Sequence, residues 1–402
     1  MEIEIDWSRR WMRLLGVWPD PKLTKKTDDK WALCRCIVPG IVIVGVMQVP
    51  QSMRLVAFLG DLDETVEIMM AALVPATTCL MKLIYLWIKK EVLRPVISSI
   101  IQDWTRPKTN FEKDLMLQNA RLSQKIGKTF FAMMYVAVLF YVIRHAFNEV
   151  QRRLSNNTEV EQEFVLHANY PFDTSSTWVY ILVYFLQVFS DMYAALLFVT
   201  FDSFIFMLVL HLCAQIKIQR SVIKNFAIRE MRSEFQAMLR SVVTRYDHLS
   251  WFTRKIEDSF NNVFLSQFLA CTLQFCFLGF KFLMIPRNET RGVIFIQGCC
   301  VLMYTLSLFL VPFMYCYLGE CLHDESTGLC ESCYEYEWYN LSPHEAKCLM
   351  FIMLRSQHPL QITAGKFSPL MFRTFAQLWQ TSAGYLSMLI AVKDRIIEQQ
   401  IS

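Results

Sequence analysis

The stretch FSPLMFRTFAQLWQTSAGYLSMLIAV, residues 367–392, is the last long apolar segment of the chain. As a helix it would extend about 39 Å, enough to cross a bilayer with some tilt. One side is apolar, and the other is a stripe of small and polar side chains at helical spacing, interrupted by Met388. The stripe consists of Gln377, Gln380, Thr381, Gly384, Ser387 and Ala391. In a membrane it must face other helices or a water-filled path, and both alternatives stay open here.

The composition of the whole chain is that of a membrane protein. Of its 402 residues, 54% are hydrophobic and only 19% are charged, whereas a soluble domain averages about 25% charged. This composition excludes a disordered chain. No secretory signal peptide is recognisable at the start, and basic residues precede the first apolar segment, which favours a cytosolic N-terminus.

Seven apolar segments predict membrane-spanning helices. They are residues 31–54, 65–88, 129–147, 177–216, 260–285, 293–318 and 367–392. The fourth is nearly twice as long as a bilayer requires, so its helix should continue beyond the membrane. We therefore predict an all-α polytopic membrane protein, one seven-helix domain over residues 1–402, with a cytosolic N-terminus and an extracellular C-terminus. Two sequons, at Asn156 and Asn288, fall in predicted outside loops and are predicted glycosylation sites.

The basic segment 217–258 carries apolar residues at helical spacing. They are Phe235, Met238, Leu239, Val242, Tyr246 and Leu249. This pattern predicts an amphipathic cytosolic helix packed on its own chain, in preference to a helix that binds a membrane surface or calmodulin. The segment 320–366, which lies on the same predicted side, adds a second amphipathic stretch over residues 343–357.

Charges inside spans are costly in lipid and are candidates for function. Lys82 and Asp191 lie at similar predicted depths, and we hypothesise that they form an ion pair. The alternative is that each faces its own aqueous cavity or extends to the membrane surface.

No motif indicates an enzyme, a nucleic-acid-binding protein or a cofactor site. The thirteen cysteines all fall in predicted spans or cytosolic segments, so no extracellular disulfide is expected. The group Cys321, His323, Cys330 and Cys333 has ligand types that suit zinc. Reduced cytosolic thiols are the favoured interpretation, and no metal is predicted.

The C-terminal region resembles the signature of insect odorant receptors. The matching residues are Trp338 to Leu341, Lys347, Arg355 to Gln357, Pro359, Leu360, Thr363 to Phe367, Phe375 and Tyr385. The resemblance implies a subunit of a tetrameric, odour-gated, non-selective cation channel in the plasma membrane of olfactory sensory neurons. It implies a shared co-receptor as partner, and a cytosolic anchor built from segments 217–258 and 320–366. The co-receptor's long insertion between spans four and five is missing here, so the chain resembles a tuning subunit.

By the same resemblance the last helix lines the pore. The implied pore-lining residues are Gln380, Thr381, Gly384, Ser387, Met388 and Ala391. Relatives carry a glutamine at the position of Ala391. Either the partner subunits supply the polar pore residues, or this subunit lines the pore differently.

The resemblance also implies a pocket for a small volatile hydrophobic ligand in the outer half of the bundle. Candidate contacts, each weighed against simple packing, are Met69, Met70, Leu73, Tyr141, His145, Tyr184, Gln187, Val188, Phe277, Phe280 and Tyr304. The alternative function is a seven-span receptor that signals through a G protein. The predicted extracellular C-terminus and the missing extracellular cysteines weigh against it, and no internal repeat supports a transporter.

Overall fold

A computed structural model describes residues 2–21, 30–154, 164–166, 168–174, 176–225, 232–283, 291–336 and 338–401. Nearly all of these residues are helical, which confirms the predicted all-α class. Within this part of the chain the one sheet is a two-stranded antiparallel hairpin, β1 Thr363–Ala364 with β2 Ser368–Pro369.

The described residues form eleven α-helices. In chain order they are α1 Glu2–Leu14, α2 Lys30–Ile43, α3 Val49–Ala57, α4 Leu62–Ile68, α5 Val74–Thr105, α6 Asn110–Leu154, α7 Thr177–Asn225, α8 Arg232–Leu283, α9 Arg291–Glu335, α10 Pro343–Ser356 and α11 Phe372–Ile401. A π-helical turn, Val44–Gln48, joins α2 to α3, and another, Met69–Leu73, joins α4 to α5. Each pair thus makes one continuous column, so that seven long columns form the bundle. A short 3-10 turn, Trp338–Asn340, precedes α10.

Five helical stretches in the described ranges are long and apolar enough to cross a membrane. They are Lys30–Ala57, Asn110–Phe147, Thr177–Asn225, Phe235–Phe282 and Gly298–Glu335. The other two columns are less apolar for visible reasons. The α4–α5 column carries Glu67, Lys82, Lys89 and Lys90, and α11 carries the small and polar stripe.

The long helices extend well past one bilayer. α7 and α8 have 49 and 52 residues, roughly 75 Å each, against a hydrocarbon core of about 30 Å. This length confirms the predicted continuation of the fourth helix. Residues 217–258, however, are not one helix, because α7 ends at Asn225 and α8 begins at Arg232. The apolar stripe from Phe235 to Leu249 is buried throughout, which confirms packing on the same chain.

The lower end of the bundle, opposite the α6–α7 connection, is joined by a buried ionic cluster. Asp103 of α5 accepts from His211 Nε2 at 3.0 Å and pairs with Arg245 at 2.6 Å. Burial by itself raises the pKa of Asp103, but the hydrogen bonds from His211 and Arg245 outweigh it and hold the pKa below its usual value. Arg245 also donates to Gln215 Oε1 at 2.8 Å. The cluster fixes α5, α7 and α8 to one another.

The last helix begins later than its apolar sequence predicts. Residues 363–369 form the hairpin, in which Gly365 and Lys366 have φ angles of 65° and 67°. A Cβ at Gly365 would lie 2.8 Å from Leu265 Cδ2, so the turn needs glycine both for its backbone and for its close packing on α8. Thr363 donates its backbone N–H to Glu257 Oε2 at 2.8 Å. The hairpin thereby sets where α11 starts, at Phe372.

α11 packs its apolar side on α8 and α9. The ring centroids of Trp379 and Phe275 are 4.0 Å apart, and Trp379 also contacts Phe309 at 5.4 Å. Leu386 fills the space above Gly279, where a Cβ would come within 2.7 Å of its Cδ2. These contacts orient the opposite side of α11 away from the chain's own bundle.

Candidate functional site

A cavity of about 230 Å³ lies between six of the seven columns, in the half of the bundle nearer the α6–α7 connection. Side chains from the Val44–Gln48 turn, the α4–α5 column, α6, α7, α8 and α9 line it. Most of the lining is apolar, for example Met70, Met134, Phe198, Leu308 and Val311. A small, mostly apolar cavity with a few polar groups is the usual form of a site for a small organic ligand.

The two π-helical turns shape one wall of this cavity. A π turn breaks the regular hydrogen-bond ladder and leaves carbonyls free for other donors. Tyr304 donates its hydroxyl to the backbone oxygen of Met70 at 3.0 Å. Gln48 of the other turn donates Nε2 to the backbone oxygen of Leu73 at 3.2 Å. The turns are therefore tied to each other and to α9, a feature that hydrophobic periodicity does not reveal.

A short non-helical segment covers the cavity at the end where α6 passes to α7. Residues 164–166 are buried, and Leu166 lines the cavity. Gln187 holds this segment, because its Oε1 accepts from the Leu166 N–H at 3.2 Å and its Nε2 donates to the Leu166 oxygen at 3.3 Å. Tyr141 donates to the Val165 oxygen at 3.1 Å. Sequence reasoning treated this segment only as a loop.

Three of the eleven predicted ligand contacts line this cavity: Met70, Tyr141 and Tyr304. The others lie elsewhere in the described structure. His145 and Tyr184 pack on each other with ring centroids 5.8 Å apart. Gln187 is occupied by the covering segment, and the Phe280 ring lies under Lys393. Met69 and Leu73 are in the second π turn, and Val188 and Phe277 are half-buried on α7 and α8. None of these four lines the cavity.

The hypothesised pair of Lys82 and Asp191 is wrong. Lys82 Nζ lies 2.7 Å from Asp202 Oδ1, and both side chains are almost fully buried. Tyr315 donates to the same oxygen at 2.5 Å, and the Lys82 ammonium lies 3.3 Å from the centroid of the Phe198 ring. Asp191 instead lines the cavity. For Asp191, the alternative that each charge faces its own cavity therefore agrees better with the structure than an ion pair with Lys82 does.

The cavity lining contains four charged side chains. Glu67 and Lys281 form an ion pair at 3.0 Å. Arg144 places its guanidinium 5.5 Å from the centroid of the Tyr141 ring. Asp191, the fourth, receives no hydrogen bond or ion pair from any described residue.

The predicted pore-lining residues share one exposed side of α11. Gln380, Thr381, Gly384, Ser387, Met388 and Ala391 are all exposed. A Cβ added at Gly384 would meet no atom within 4 Å. Tight packing of this stripe on the chain's own helices, one of the two alternatives, is therefore not observed. The stripe is open to another chain or to water.

The remaining predicted sites fall outside cavity and stripe. Cys321, His323, Cys330 and Cys333 lie on one helix, α9, and the step of nine positions from Cys321 to Cys330 corresponds to about 13 Å along the axis. Zinc ligands bind at about 2.0–2.3 Å, so these residues do not form one site, and the described residues contain no other group of three or more metal ligands. Asn156 and Asn288 lie outside the described residues.

Comparison with known proteins gives one consistent result. A family model described as 7tm Odorant receptor matches residues 65–383. Odorant receptor 10a of Drosophila melanogaster is 21% identical, with 94% of this chain and 92% of that protein covered. Odorant receptor 13a of the same species is 23% identical, with 56% of each chain covered. The olfactory receptor OR5 of Machilis hrabei, solved in complex with eugenol, superposes with a TM-score of 0.78 at 15% identity, and covers 98% of this chain and 100% of its own. This superposition supports the seven-helix membrane fold.

Proposed function

The chain belongs to the 7tm odorant receptor family, and from this premise we propose that it is the tuning subunit of an odorant-gated, non-selective cation channel. The family is one of receptors and not of enzymes, and the fold is that of a multi-pass membrane protein. The proposal adds a channel mechanism, a partner and a place for the ligand.

The cavity is the proposed odorant site. Its volume of about 230 Å³ is below the roughly 300–1,000 Å³ of sites for drug-sized ligands, which suits a smaller, volatile molecule. Met70 and Met134 give the wall an adaptable apolar surface. Of the eleven ligand contacts predicted from the sequence, we therefore keep Met70, Tyr141 and Tyr304. We add the residues of α7 and α8 that line the cavity.

The open stripe on α11 is the observation that carries the channel proposal. A small and polar surface that crosses a membrane needs a polar neighbour or water, and this chain's bundle supplies neither. A pore shared by four subunits would supply water on one side. Met388 and Ala391 are apolar members of the proposed pore-lining set, so we propose that co-receptor subunits in a heterotetramer provide the polar narrow point.

On both α8 and α9, a residue that lines the cavity is next in sequence to a residue that contacts α11. On α8, Leu278 lines the cavity and the adjacent Gly279 receives Leu386. On α9, Leu308 lines the cavity and the adjacent Phe309 contacts Trp379. A ligand that fits the cavity better when α8 and α9 are displaced would therefore shift α11. Such a ligand opens the channel only by binding the open state more tightly.

The proposed subunit contacts lie on the lower part of the bundle. Segment 320–366 carries the exposed apolar side chains of Tyr334, Tyr339, Phe351 and Leu354, and segment 217–258 carries that of Val243. An exposed cluster of this kind is typical of a surface covered in an assembly. We place this anchor and the N-terminus in the cytosol, and the C-terminus and the glycosylated Asn156 and Asn288 outside, in the plasma membrane of olfactory sensory neurons.

The test is co-expression with an insect odorant co-receptor, with currents recorded during an odorant panel. Ala195 is buried and lines the cavity. Ala195→Phe should therefore reduce odorant sensitivity at least tenfold, while the exposed Ala146 of α6 gives the control Ala146→Phe.

Three results would contradict the proposal. Currents that need a G protein, or a C-terminal tag that antibodies cannot reach on intact cells, would support the G-protein receptor instead. Currents from this chain alone would overturn the tuning-subunit role.

A further inference from the structure

Asp191 of α7 lines the cavity and forms no ion pair or hydrogen bond with a described residue. Lys82 is paired with Asp202, Lys281 is paired with Glu67, and no described residue reaches the Asp191 carboxylate. An ionised carboxylate in an apolar environment costs several kcal/mol unless it is paired and hydrogen-bonded. Its position in the cavity lining makes it available to a cation or hydrogen-bond donor carried by an occupant.

The hydroxyl groups that line the cavity are already engaged elsewhere. Tyr141 and Tyr304 donate to backbone oxygens, as do the hydroxyls of Thr78 and Ser307. The Cys79 thiol donates to the Ala194 oxygen at 3.5 Å. None of these groups donates to Asp191, so its carboxylate is available to a donor from an occupant.

A second polar group in the lining has unused hydrogen-bonding capacity. Gln267 of α8 is 3% exposed and lines the cavity, and its Oε1 has no partner among the described residues. Its Nε2 makes one weak contact, to Cys271 Sγ at 3.3 Å. Because buried polar groups are almost always satisfied, this oxygen is an exception in the wall of the cavity.

Arg144 is the one lining cation without an ion pair in the described structure, and it does not compensate Asp191. It lies on α6 about 15 Å from the helix end at Leu154. Its guanidinium lies in the cavity lining, 5.5 Å from the centroid of the Tyr141 ring, and it forms no ion pair with Asp191. Among the described residues Asp191 is therefore the one lining anion without an ion pair, and it remains open to a cation carried by an occupant.

We propose that the cavity binds a small apolar amine, whose basic nitrogen donates to the Asp191 carboxylate. The inference rests on the proposed odorant site but not on the channel mechanism. The apolar walls formed by Met70, Phe198 and Leu308 would hold the carbon skeleton. A charge-assisted hydrogen bond is roughly twice as strong as a neutral one, so Asp191 would favour an amine over an alcohol of the same shape.

The test measures binding to the purified full-length protein by thermal shift, with benzylamine, benzyl alcohol, toluene and benzoate as probes. Benzylamine should bind at least tenfold more tightly than benzyl alcohol. Asp191→Asn should weaken benzylamine at least tenfold and change benzyl alcohol less than threefold. Asp247, exposed on α8, provides the matched control Asp247→Asn, which should change neither.

Several results would overturn the inference. These are equal binding of benzylamine and benzyl alcohol, an unchanged benzylamine affinity in Asp191→Asn, or preferential binding of benzoate that is lost in Arg144→Gln. Binding of none of the four probes would also overturn it. Because this readout needs no current, benzylamine binding without channel opening would leave the inference standing and count against the channel proposal alone.

Discussion

Lys82 of α5 and Asp202 of α7 form an ion pair of 2.7 Å in the centre of the bundle, with both side chains excluded from solvent. Tyr315 of α9 donates to the same carboxylate oxygen. The three groups join three columns below the cavity. Phe198 connects the pair to the cavity, because it lines the cavity and lies against the Lys82 ammonium.

Removing one member of this pair should be more harmful than removing both. Lys82→Met leaves the Asp202 charge buried without its cation, which costs about 3–5 kcal/mol. The double variant Lys82→Met/Asp202→Leu should recover much of this loss, since apolar replacement of a buried pair is often neutral. Surface expression and the Tm of the purified protein measure both effects.

Two further variants separate this pair from its alternatives. Tyr315→Phe keeps both charges and should cost about 1.5–3 kcal/mol through one lost hydrogen bond to a charged group. The exchange Lys82→Asp/Asp191→Lys should fail to restore expression, because Asp191 is not the partner. A double apolar variant no more stable than Lys82→Met would contradict the buried-pair account.

The choice between Asp191 and Asp202 shows where sequence reasoning ends. The two residues are eleven positions apart on α7, very nearly three helical turns, so they share one face about 16 Å apart. Helical periodicity therefore cannot decide which of the two aspartates pairs with Lys82. The depth of a residue in the membrane, counted in residues from a loop, cannot decide it either, because it ignores helix tilt. The pairing follows from how α5 and α7 pack, which the sequence does not encode locally.

Other features were predictable to different degrees. The apolar stripe from Phe235 to Leu249 is a purely local pattern, and it predicted its own burial correctly. The predicted last span begins at Phe367, so it includes the second strand of the hairpin but not the turn at Gly365, because the sequence from Phe367 to Phe372 continues the apolar run. The sequence does not predict that the segment with Leu166 is buried. Its burial depends on a hydrogen bond from Gln187 of α7, which is a contact between separate elements.

Gly319 of α9 should not tolerate a side chain. A Cβ there would lie 1.9 Å from the backbone oxygen of Leu370, which precedes α11. Gly319→Ala must displace that backbone, and we expect destabilisation of about 1–3 kcal/mol together with a smaller odorant current. The Tm of the purified variant and its maximal current check this.

Gly298 provides the control on the same helix. A Cβ at Gly298 meets no atom within 4 Å. Gly298→Ala should therefore be neutral or stabilise the helix by about 0.5–1 kcal/mol. Similar behaviour of the two variants would mean that the close approach of Leu370 to α9 does not constrain the protein.

His248 should make stability depend on pH. Burial and then the nearby Arg245 charge lower its pKa from the usual 6.5, although Asp103 partly offsets them. Below pH 6.5 the His248 side chain takes up a proton in the unfolded chain but not yet in the folded chain, so protonation favours unfolding. The free energy of unfolding is therefore highest above pH 6.5. It falls as the pH is lowered from 6.5 to the pKa of His248 in the folded chain. The Tm should fall as the pH is lowered through this window, and less so in His248→Gln. An equal slope in both proteins would assign the effect to other groups.

Two serines of α11 test whether the exposed stripe lines the pore. Ser387 lies in the stripe and is exposed, whereas Ser382 is 4% exposed on the packed side. With the co-receptor present, a charged thiol reagent should reduce the odorant current of Ser387→Cys by at least half. The same reagent should change the odorant current of Ser382→Cys no more than that of the wild-type protein. The wild-type current also shows any effect of the reagent on the thirteen native cysteines. A reagent that modifies Ser387→Cys without changing the current would place the stripe at a subunit contact and not on the ion path. A reagent that affects both equally would mean that α11 is rotated from the orientation set by Trp379 and Leu386.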